Sequence, residues 1–249
     1  MIDIHCHILP DFDDGAATLE EALEMARMAL MSGVSAIVAT PHFQGEPEYL
    51  DQLAEIDRRY EALKYALQQM NISLKLYKGA EVLCTNRTFD LIEKKQLPTI
   101  ADTNYVLTEF FFDENFGFME DCLFEMLQAG YMPIVAHPER YDAIQRDPFR
   151  VQHWVDHGFV LQLNKGSLLG LFGTRAERAA NELLGLGLAH VIASDAHGSK
   201  NRTPHMGALL DWVDECCDPE CARILLAENP SLILQGLSIT GFDEETMPL

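Results

Sequence analysis

Residues 1–15 read MIDIHCHILPDFDDG, and residues 190–197 read HVIASDAH. Each stretch opens as a short apolar, β-branched run and ends in histidine and aspartate. A strand at 1–5 points His5 and His7 the same way, because side chains along a strand alternate with a period of two. A strand at 190–193 does the same for Asp195 and His197. Working outward from these two ends, the chain alternates strand and helix patterns. Further strands are expected at 35–40 (SAIVAT), 74–79, 105–110, 133–136 and 159–163. Helices are expected at 19–32, 49–70, 85–95, 119–129, 148–157, 175–186, 204–216 and 220–228. Thr18 with Glu21 makes a capping box for the first helix, Leu19, Leu23, Ala26 and Leu30 sit at helical spacing, and Gly33 ends it. Seven strands, each followed by helix, predict an α/β fold with a parallel sheet closed by crossover helices. The chain reads as one domain over residues 1–249, with a loose acidic tail from about 238.

The polar residues fall at the strand ends. His5 and His7 are followed by Asp11, Asp13 and Asp14. The next ends carry Thr40-Pro41-His42, Gly79-Ala80-Glu81, Thr108-Glu109, His137-Pro138-Glu139-Arg140, Asn164 and Ser194-Asp195-Ala196-His197. In a parallel barrel the carboxyl ends of the strands converge on one face, so residues far apart in sequence meet there. Imidazole and carboxylate without thiolate suit zinc, manganese or iron. Glu81, with two oxygens, can bridge two ions. A lone histidine at a strand end is ordinarily just a hydrogen-bonded side chain; the combination is what points to a metal centre. His153, His157, His190 and His205 lie in helical or helix-edge patterns and read as structural, with His205 close enough to Asp195 to support it.

Composition narrows the function. The 249 residues carry 18 Lys+Arg against 39 Asp+Glu, for a formal net charge of −21, with 48% hydrophobic residues. That is globular composition rather than disorder. The charge argues against non-specific binding of nucleic acid or of an anionic membrane, both of which need a basic footprint. Bound divalent ions would still allow an anionic substrate. No apolar run approaches the ~18 residues of a spanning helix, and the N-terminus lacks the basic start and apolar core of a signal peptide. Six cysteines, at 6, 84, 122, 216, 217 and 221, form no CxxC pair. A cytoplasmic protein is expected.

One competing motif is present. Cys217 to Arg223 fits Cys-x5-Arg, the pattern of cysteine-dependent tyrosine phosphatases. Asp218, Pro219 and Glu220 fill the space where a phosphate loop needs glycines and free amides, and the segment reads as a helix start with Asp218 as N-cap.

The series DIHCH, DDG, ATPH, GAE, TEF, AHPERY and ASDAH, in this order, resembles the PHP (polymerase and histidinol phosphatase) superfamily. The likeness covers residues 1 to about 235 and is nearest to the bacterial capsule- and exopolysaccharide-regulating tyrosine phosphatases of the CpsB/YwqE type. The resemblance implies a distorted (β/α)7 TIM-like barrel holding three divalent metal ions, manganese first, with iron, cobalt or zinc as alternatives. It implies that His5, His7, Glu81 and Asp195 hold one ion, Glu81, Glu109 and His137 a second, and Asp14, His42 and His197 a third. It favours Asp14 over Asp13, which the sequence does not separate. Arg140 and Arg202 match the family's phosphate-binding arginines; their alternatives are a surface ion pair of Arg140 with Glu139 or Asp142 and an ordinary polar loop around Arg202. The implied partner is a phosphotyrosine protein, the C-terminal tail of a tyrosine autokinase, with no nucleic acid and no membrane insertion.

The chemistry expected is hydrolysis of a phosphomonoester by water held between two divalent ions, which lower its pKa by several units. Guanidinium groups would hold the phosphoryl oxygens, and Asp195 or a neighbouring histidine would carry the leaving-group proton. Two departures from the family pattern stand out: residues 43–50 (FQGEPEYL) lack basic side chains, and residues 110–118 (FFFDENFGF) are unusually aromatic, fitting either core packing or a rim for a phenyl phosphate. The other readings are a phosphoesterase acting on a small metabolite, such as histidinol phosphate or a nucleotide, and a catalytically silent scaffold of the same fold.

Overall fold

A computed structural model describes residues 1–45 and 48–241 of the chain. Among the described residues, nine parallel strand segments carry the fold: β1 (Ile2–Cys6), β2 (Ala36–Ala39), β3 (His42–Phe43), β4 (Lys75–Lys78), β5 (Glu81–Leu83), β6 (Tyr105–Glu109), β7 (Met132–Ala136), β8 (Val160–Asn164) and β9 (Val191–Ala193). Seven of them match the expected strands, and β3 and β5 are continuations of the second and third. The first break falls at Thr40-Pro41, where proline offers no N–H to a ladder. The second falls at Gly79-Ala80. A Cβ on Gly79 would stand 2.8 Å from Ile100 Cδ1 and 2.9 Å from Val38 Cγ1, so any other residue there would push these side chains aside.

These breaks divide the strands into two sheets, β1-β2-β4 and β3-β5-β6-β7-β8-β9. The α/β class and the parallel pairing are as expected; the closed barrel is not formed as a continuous sheet. Between β1 and β9 there is a single bridge, Cys6 with Ala196, supported by hydrogen bonds from His7 N to Ala196 O at 2.8 Å and from Asp195 N to His5 O at 2.9 Å.

Eleven α-helical segments are found among the described residues: α1 (Leu19–Met31), α2 (Tyr49–Gln69), α3 (Thr88–Glu93), α4 (Phe116–Gln128), α5 (Asp142–Arg146), α6 (Gln152–Asp156), α7 (Lys165–Leu168), α8 (Thr174–Gly185), α9 (Gly207–Cys216), α10 (Pro219–Arg223) and α11 (Asn229–Leu234). Thr18 caps α1, its Oγ1 accepting from Glu21 N at 3.2 Å. The reciprocal half of the capping box is displaced: Glu21 accepts from Ala17 N at 3.1 Å and from Ser199 N at 3.1 Å, which ties α1 to the loop after β9. The buried face of α1 is Ala22, Leu23, Met25, Ala26 and Ala29; Leu19 is exposed. Helix α4 starts three residues earlier than expected because Asn115 Oδ1 accepts from Gly117 N and Phe118 N. The short helices α5, α7 and α11 fall where no helix was expected.

Alternate residues of the strands feed two apolar clusters. Ile4, Val38, Leu107, Ile134, Val160 and Val191 share the inner one, plugged by Ile100 and Ile233. Val106, Val135, Leu161 and Ile192 face the helices in the larger outer one. This parity places the site. Toward the carboxyl ends the inner rows turn polar: Leu107 is followed two residues on by Glu109, Val160 by Gln162 and Asn164, and Ala193 by Asp195. The register of β1 against β2 shifts between Asp3 and Cys6, so the alternation set by Ile4 does not run on to His7.

The tail is tied down further than expected. Thr240 N donates to Asn229 Oδ1 at 2.8 Å, Asn229 Nδ2 donates to Thr240 O at 3.0 Å, and Tyr105 Oη donates to Leu237 O at 2.8 Å. The rest of the expected loose tail lies outside the described residues, as do residues 46 and 47. Among the described residues no helix is long and apolar enough to cross a membrane.

Candidate active site

Five imidazoles and four carboxylates from six of the seven strand ends converge at the carboxyl edge of the sheets. Glu81 is the hub. Its Oε1 lies 3.0 Å from His137 Nε2 and 3.2 Å from His5 Nε2, and its Oε2 lies 3.2 Å from both His7 Nε2 and His42 Nδ1. Glu109 Oε1 is 3.0 Å from His42 Nδ1, and Asp195 Oδ1 is 3.4 Å from His5 Nε2. Asp14 Oδ1 stands 3.4 Å from His42 Nε2 and 3.5 Å from His197 Nε2. Ligand atoms group as His7, Asp14, His42 and His197; as His5, His7 and Glu81; and as His42, Glu81 and Glu109. All nine expected ligands are therefore together, although the groups share His7 and His42 where the resemblance assigned each to one ion.

The two adjacent aspartates separate here. Asp13 turns away from the cluster: its Oδ2 accepts from His7 Nδ1 and from His42 N, each at 2.9 Å, and its Oδ1 accepts from Gly15 N at 3.0 Å. Burial would raise its pKa, but these hydrogen bonds outweigh that and hold it at about 2. Gly15 is required for this turn, since a Cβ there would lie 2.1 Å from His7 O.

The outward nitrogens of the histidines are pinned. Gln162 donates its amide to Leu163 O and Asn164 Oδ1, so its Oε1 accepts from His5 Nδ1, at 2.7 Å. His7 Nδ1 donates to Asp13 and His197 Nδ1 to Asp195 O at 3.0 Å. Each neutral ring then aims an Nε2 lone pair into the cluster, and those of His5 and His7 lie 3.3 Å apart. Lone pairs that close are relieved by protons or by a cation, so these residues fit a divalent ion. Without metal, protons do it: burial lowers the His5 and His7 pKa values, but the carboxylates around them win and raise them to about 9 and about 10. His197, where burial dominates and His7 and Arg202 add repulsion, is lowered to about 4.

Two guanidiniums border the cluster on one side. Arg202 Nη2 is 2.5 Å and Arg140 Nη1 3.6 Å from Asp195 Oδ2. Arg140 makes neither alternative pair: Glu139 is fully buried and accepts from Asn164 N at 3.0 Å, and Asp142 pairs with Arg175 at 3.0 Å. The Arg140 guanidinium is instead stacked between two rings, 4.4 Å from the Phe112 centroid and 4.6 Å from that of Phe172. The aromatic stretch 110–118 thus divides. Phe110 and Phe116 are core, Phe116 stacking on Trp154 at 4.9 Å, while Phe111 and Phe112 are exposed at the rim.

Phe172 and Gln162 were not foreseen. Gln162 carried a signal, an amide in the middle of an apolar strand; Phe172 carried none. Lys165 was also missed: buried, it donates to Thr203 O and, at 3.0 Å, to His205 O, clamping the loop that bears Arg202. The His205 ring lies against its own turn, 3.2 Å from Gly207 N, and does not support Asp195. His190 is buried and structural, its Nδ1 accepting from Leu161 N at 3.0 Å, and His153 and His157 pack on Phe124. The Cys-x5-Arg segment is a helix start as expected: Asp218 Oδ1 accepts from Cys221 N at 2.7 Å, and Arg223 pairs with Glu220 and Glu228.

The family described as capsular polysaccharide synthesis, CpsB/CapC, matches residues 1–235. Tyrosine-protein phosphatase YwqE of Bacillus subtilis is 35% identical over 239 residues, 96% of this chain and 93% of that one. Tyrosine-protein phosphatase CpsB of Streptococcus pneumoniae is 30% identical over 239 residues, 94% of this chain and 98% of that one. A solved structure from work on these two proteins, which it describes as unique metal-dependent tyrosine phosphatases, superposes with a TM-score of 0.85 at 34% identity, covering 100% of this chain and 99% of that one.

Proposed function

The chain belongs to the CpsB/CapC capsular polysaccharide synthesis family, and from that premise we propose that it is a metal-dependent protein-tyrosine phosphatase. The observation that carries this is the cluster itself: five imidazoles and four carboxylates around Glu81, with Arg140 and Arg202 on one flank.

Our reading assigns three divalent ions, held by His5, His7, Glu81 and Asp195, by Glu81, Glu109 and His137, and by Asp14, His42 and His197. The imidazole and carboxylate donor set supports manganese, with iron, cobalt or zinc of similar geometry. Bound there, such ions would act as Lewis acids toward phosphoryl oxygens and bring the pKa of water from about 15.7 toward 7. Arg140 and Arg202 would bind the other phosphoryl oxygens, exchanging their present partner, Asp195 Oδ2, for phosphate. Asp195 is better suited to this anchoring than to carrying the leaving-group proton. Burial would raise its pKa, but His5, His137 and Arg202 hold it well below the carboxylate range, and Asn164 Nδ2 donates to it at 2.5 Å. A tyrosine phenol, with pKa about 10, needs less acid assistance than an alkyl alcohol.

We read the two sheets as one interrupted (β/α)7 barrel, on the strength of the Cys6–Ala196 bridge, and the chain as a single catalytic domain, on the span of the family match. Family membership supports a phosphorylated tyrosine autokinase tail as the substrate, in capsule or exopolysaccharide synthesis. Six unpaired cysteines favour the cytoplasm.

The test is turnover of a phosphotyrosine peptide by wild type, His137→Ala and Cys217→Ser, with chelator and after adding Mn²⁺ back. Activity should vanish with chelator, return with Mn²⁺ and be lost only in His137→Ala. Activity indifferent to chelator and lost in Cys217→Ser would overturn the metal mechanism.

A further inference from the structure

Beside Arg202 a groove of about 520 Å³ opens on the surface, sharing Phe172 and Ser194 with the edge of the cluster. Its apolar side is Leu169, Leu171 and Phe172, and Leu171 is 68% exposed. Its polar side carries three basic side chains, Lys165, Lys200 and Arg202, and no aspartate or glutamate is among its described lining residues, although Arg202 pairs with Asp195 behind the wall. In a chain with 39 acidic and 18 basic residues, such a lining is unusual.

The walls are braced. Phe172 packs directly on the Gly166 backbone, where an added Cβ would come within 2.6 Å of the ring. Arg202 is left-handed, at φ 47°, and its carbonyl accepts from His197 N at 2.8 Å. Lys165 is spent on the backbone of the Arg202 loop. The Nε of Arg202 is buried without a hydrogen-bond partner. Lys200 is exposed at the rim; the carboxylate that faces this loop from α1, Glu21, feels its charge but spends its hydrogen bonds on Ser199 N at 3.1 Å and Ser199 Oγ at 3.3 Å.

We propose that this groove is a substrate subsite that takes the peptide segment next to the phosphotyrosine and selects one bearing a carboxylate beside an apolar side chain. The inference rests on the phosphatase reading and names the sequence class that such an enzyme would prefer. With the phosphate at Arg202 and Arg140, an extended peptide advances about 3.3 Å per residue. A carboxylate within about three residues of the tyrosine then reaches Lys200, while its apolar neighbour lies on Leu171 and Phe172. Charge complementarity selects this occupant over a basic or purely apolar one.

Three substrates separate the outcomes: p-nitrophenyl phosphate, which has no flanking residues; a phosphotyrosine peptide with glutamates within three residues on both sides; and the same peptide with glutamines. Each is assayed on the Mn²⁺-loaded full chain as wild type, Lys200→Glu and Leu171→Ser. Wild type should favour the glutamate peptide about fivefold in kcat/KM, through KM, as one exposed charge pair allows. Lys200→Glu should reverse that preference. Leu171→Ser should weaken both peptides, and p-nitrophenyl phosphate should be unaffected by either substitution. An equal preference in wild type and Lys200→Glu, or a parallel loss on p-nitrophenyl phosphate, overturns the groove while leaving the phosphatase standing. Silence of wild type on all three substrates overturns the phosphatase reading, and this one with it.

Discussion

At the scale of single residues, the site depends on side chains that touch no phosphate. Gln162 fixes the His5 ring by accepting its Nδ1–H. Gln162→Leu should keep the fold and weaken metal binding by about 10- to 100-fold, the usual cost of losing a group that orients a ligand; competition against a chelating dye measures it. Phe172 holds Arg140 through a stacked ring, a contact worth about 0.5–2 kcal/mol. Phe172→Leu should therefore raise KM for phosphorylated substrates several-fold with metal content unchanged. A fall in metal content instead would make Phe172 a support of the cluster. His137 and Asp195 are left-handed, at φ 36° and φ 48°, a conformation costing roughly 1–2 kcal/mol in a residue with a Cβ. Most of the clustered side chains were legible in the sequence because they are polar residues at the ends of apolar runs, while Asp14 was set apart from Asp13 by the family resemblance alone. Their supports were not, because a phenylalanine in a loop looks the same whether or not an arginine lies on it.

Among the elements, the residue that leads into β9 is a titratable group outside the cluster. His190 is lowered to about 4 by burial alone, and its Nδ1 is an acceptor that protonation would abolish. Unfolded, a histidine titrates near 6.5, so the unfolded chain takes up the proton first. This contribution is present in full above pH 6.5 and lost as pH falls toward 4. Between pH 6.5 and 5 it amounts to about 2 kcal/mol. Urea denaturation at pH 7.5 and 5 should find that loss in wild type and a smaller one in His190→Asn. Equal losses would show that the ring is accessible in the folded state. Strand positions were legible from β-branched runs. The break at Pro41 follows from chemistry visible in the sequence, whereas the crowding of Gly79 by Ile100 and Val38 shows only in the folded chain.

For the whole molecule, the cluster places four carboxylates in one partly buried site, and only protons or cations make that tolerable. Metal binding to the folded chain alone adds RT ln(1 + [L]/Kd), about 4 kcal/mol at a thousandfold excess over Kd. Chelation should therefore lower Tm by several degrees, and lowering the pH from 8 to 6 should weaken metal binding, because His5 and His7, raised to about 9 and about 10 in the metal-free cluster, must release protons to bind it. Calorimetry with and without Mn²⁺ at both values checks this. A Tm indifferent to metal would mean that the cluster holds none.

The sequence by itself determined the α/β alternation, the places of seven strands and the polar residues at their ends, and its resemblance to a known family singled out the nine clustered side chains and the two arginines. The alternation and the strand ends follow from local rules: short β-branched runs between helical patterns, and polar residues stationed where apolar runs stop. The tertiary structure decided that the sheets do not close: the second and third strands are interrupted at Pro41 and Gly79, and β1 meets β9 only at the Cys6–Ala196 bridge. It also turned Asp13 onto His7 and left Asp14 among the ligands, a choice between adjacent identical residues that only the turn at Gly15 makes. And it laid Phe172 on Arg140 beside a basic groove. The Phe172 contact and the crowding at Gly79 join segments distant in sequence, and no local pattern encodes them.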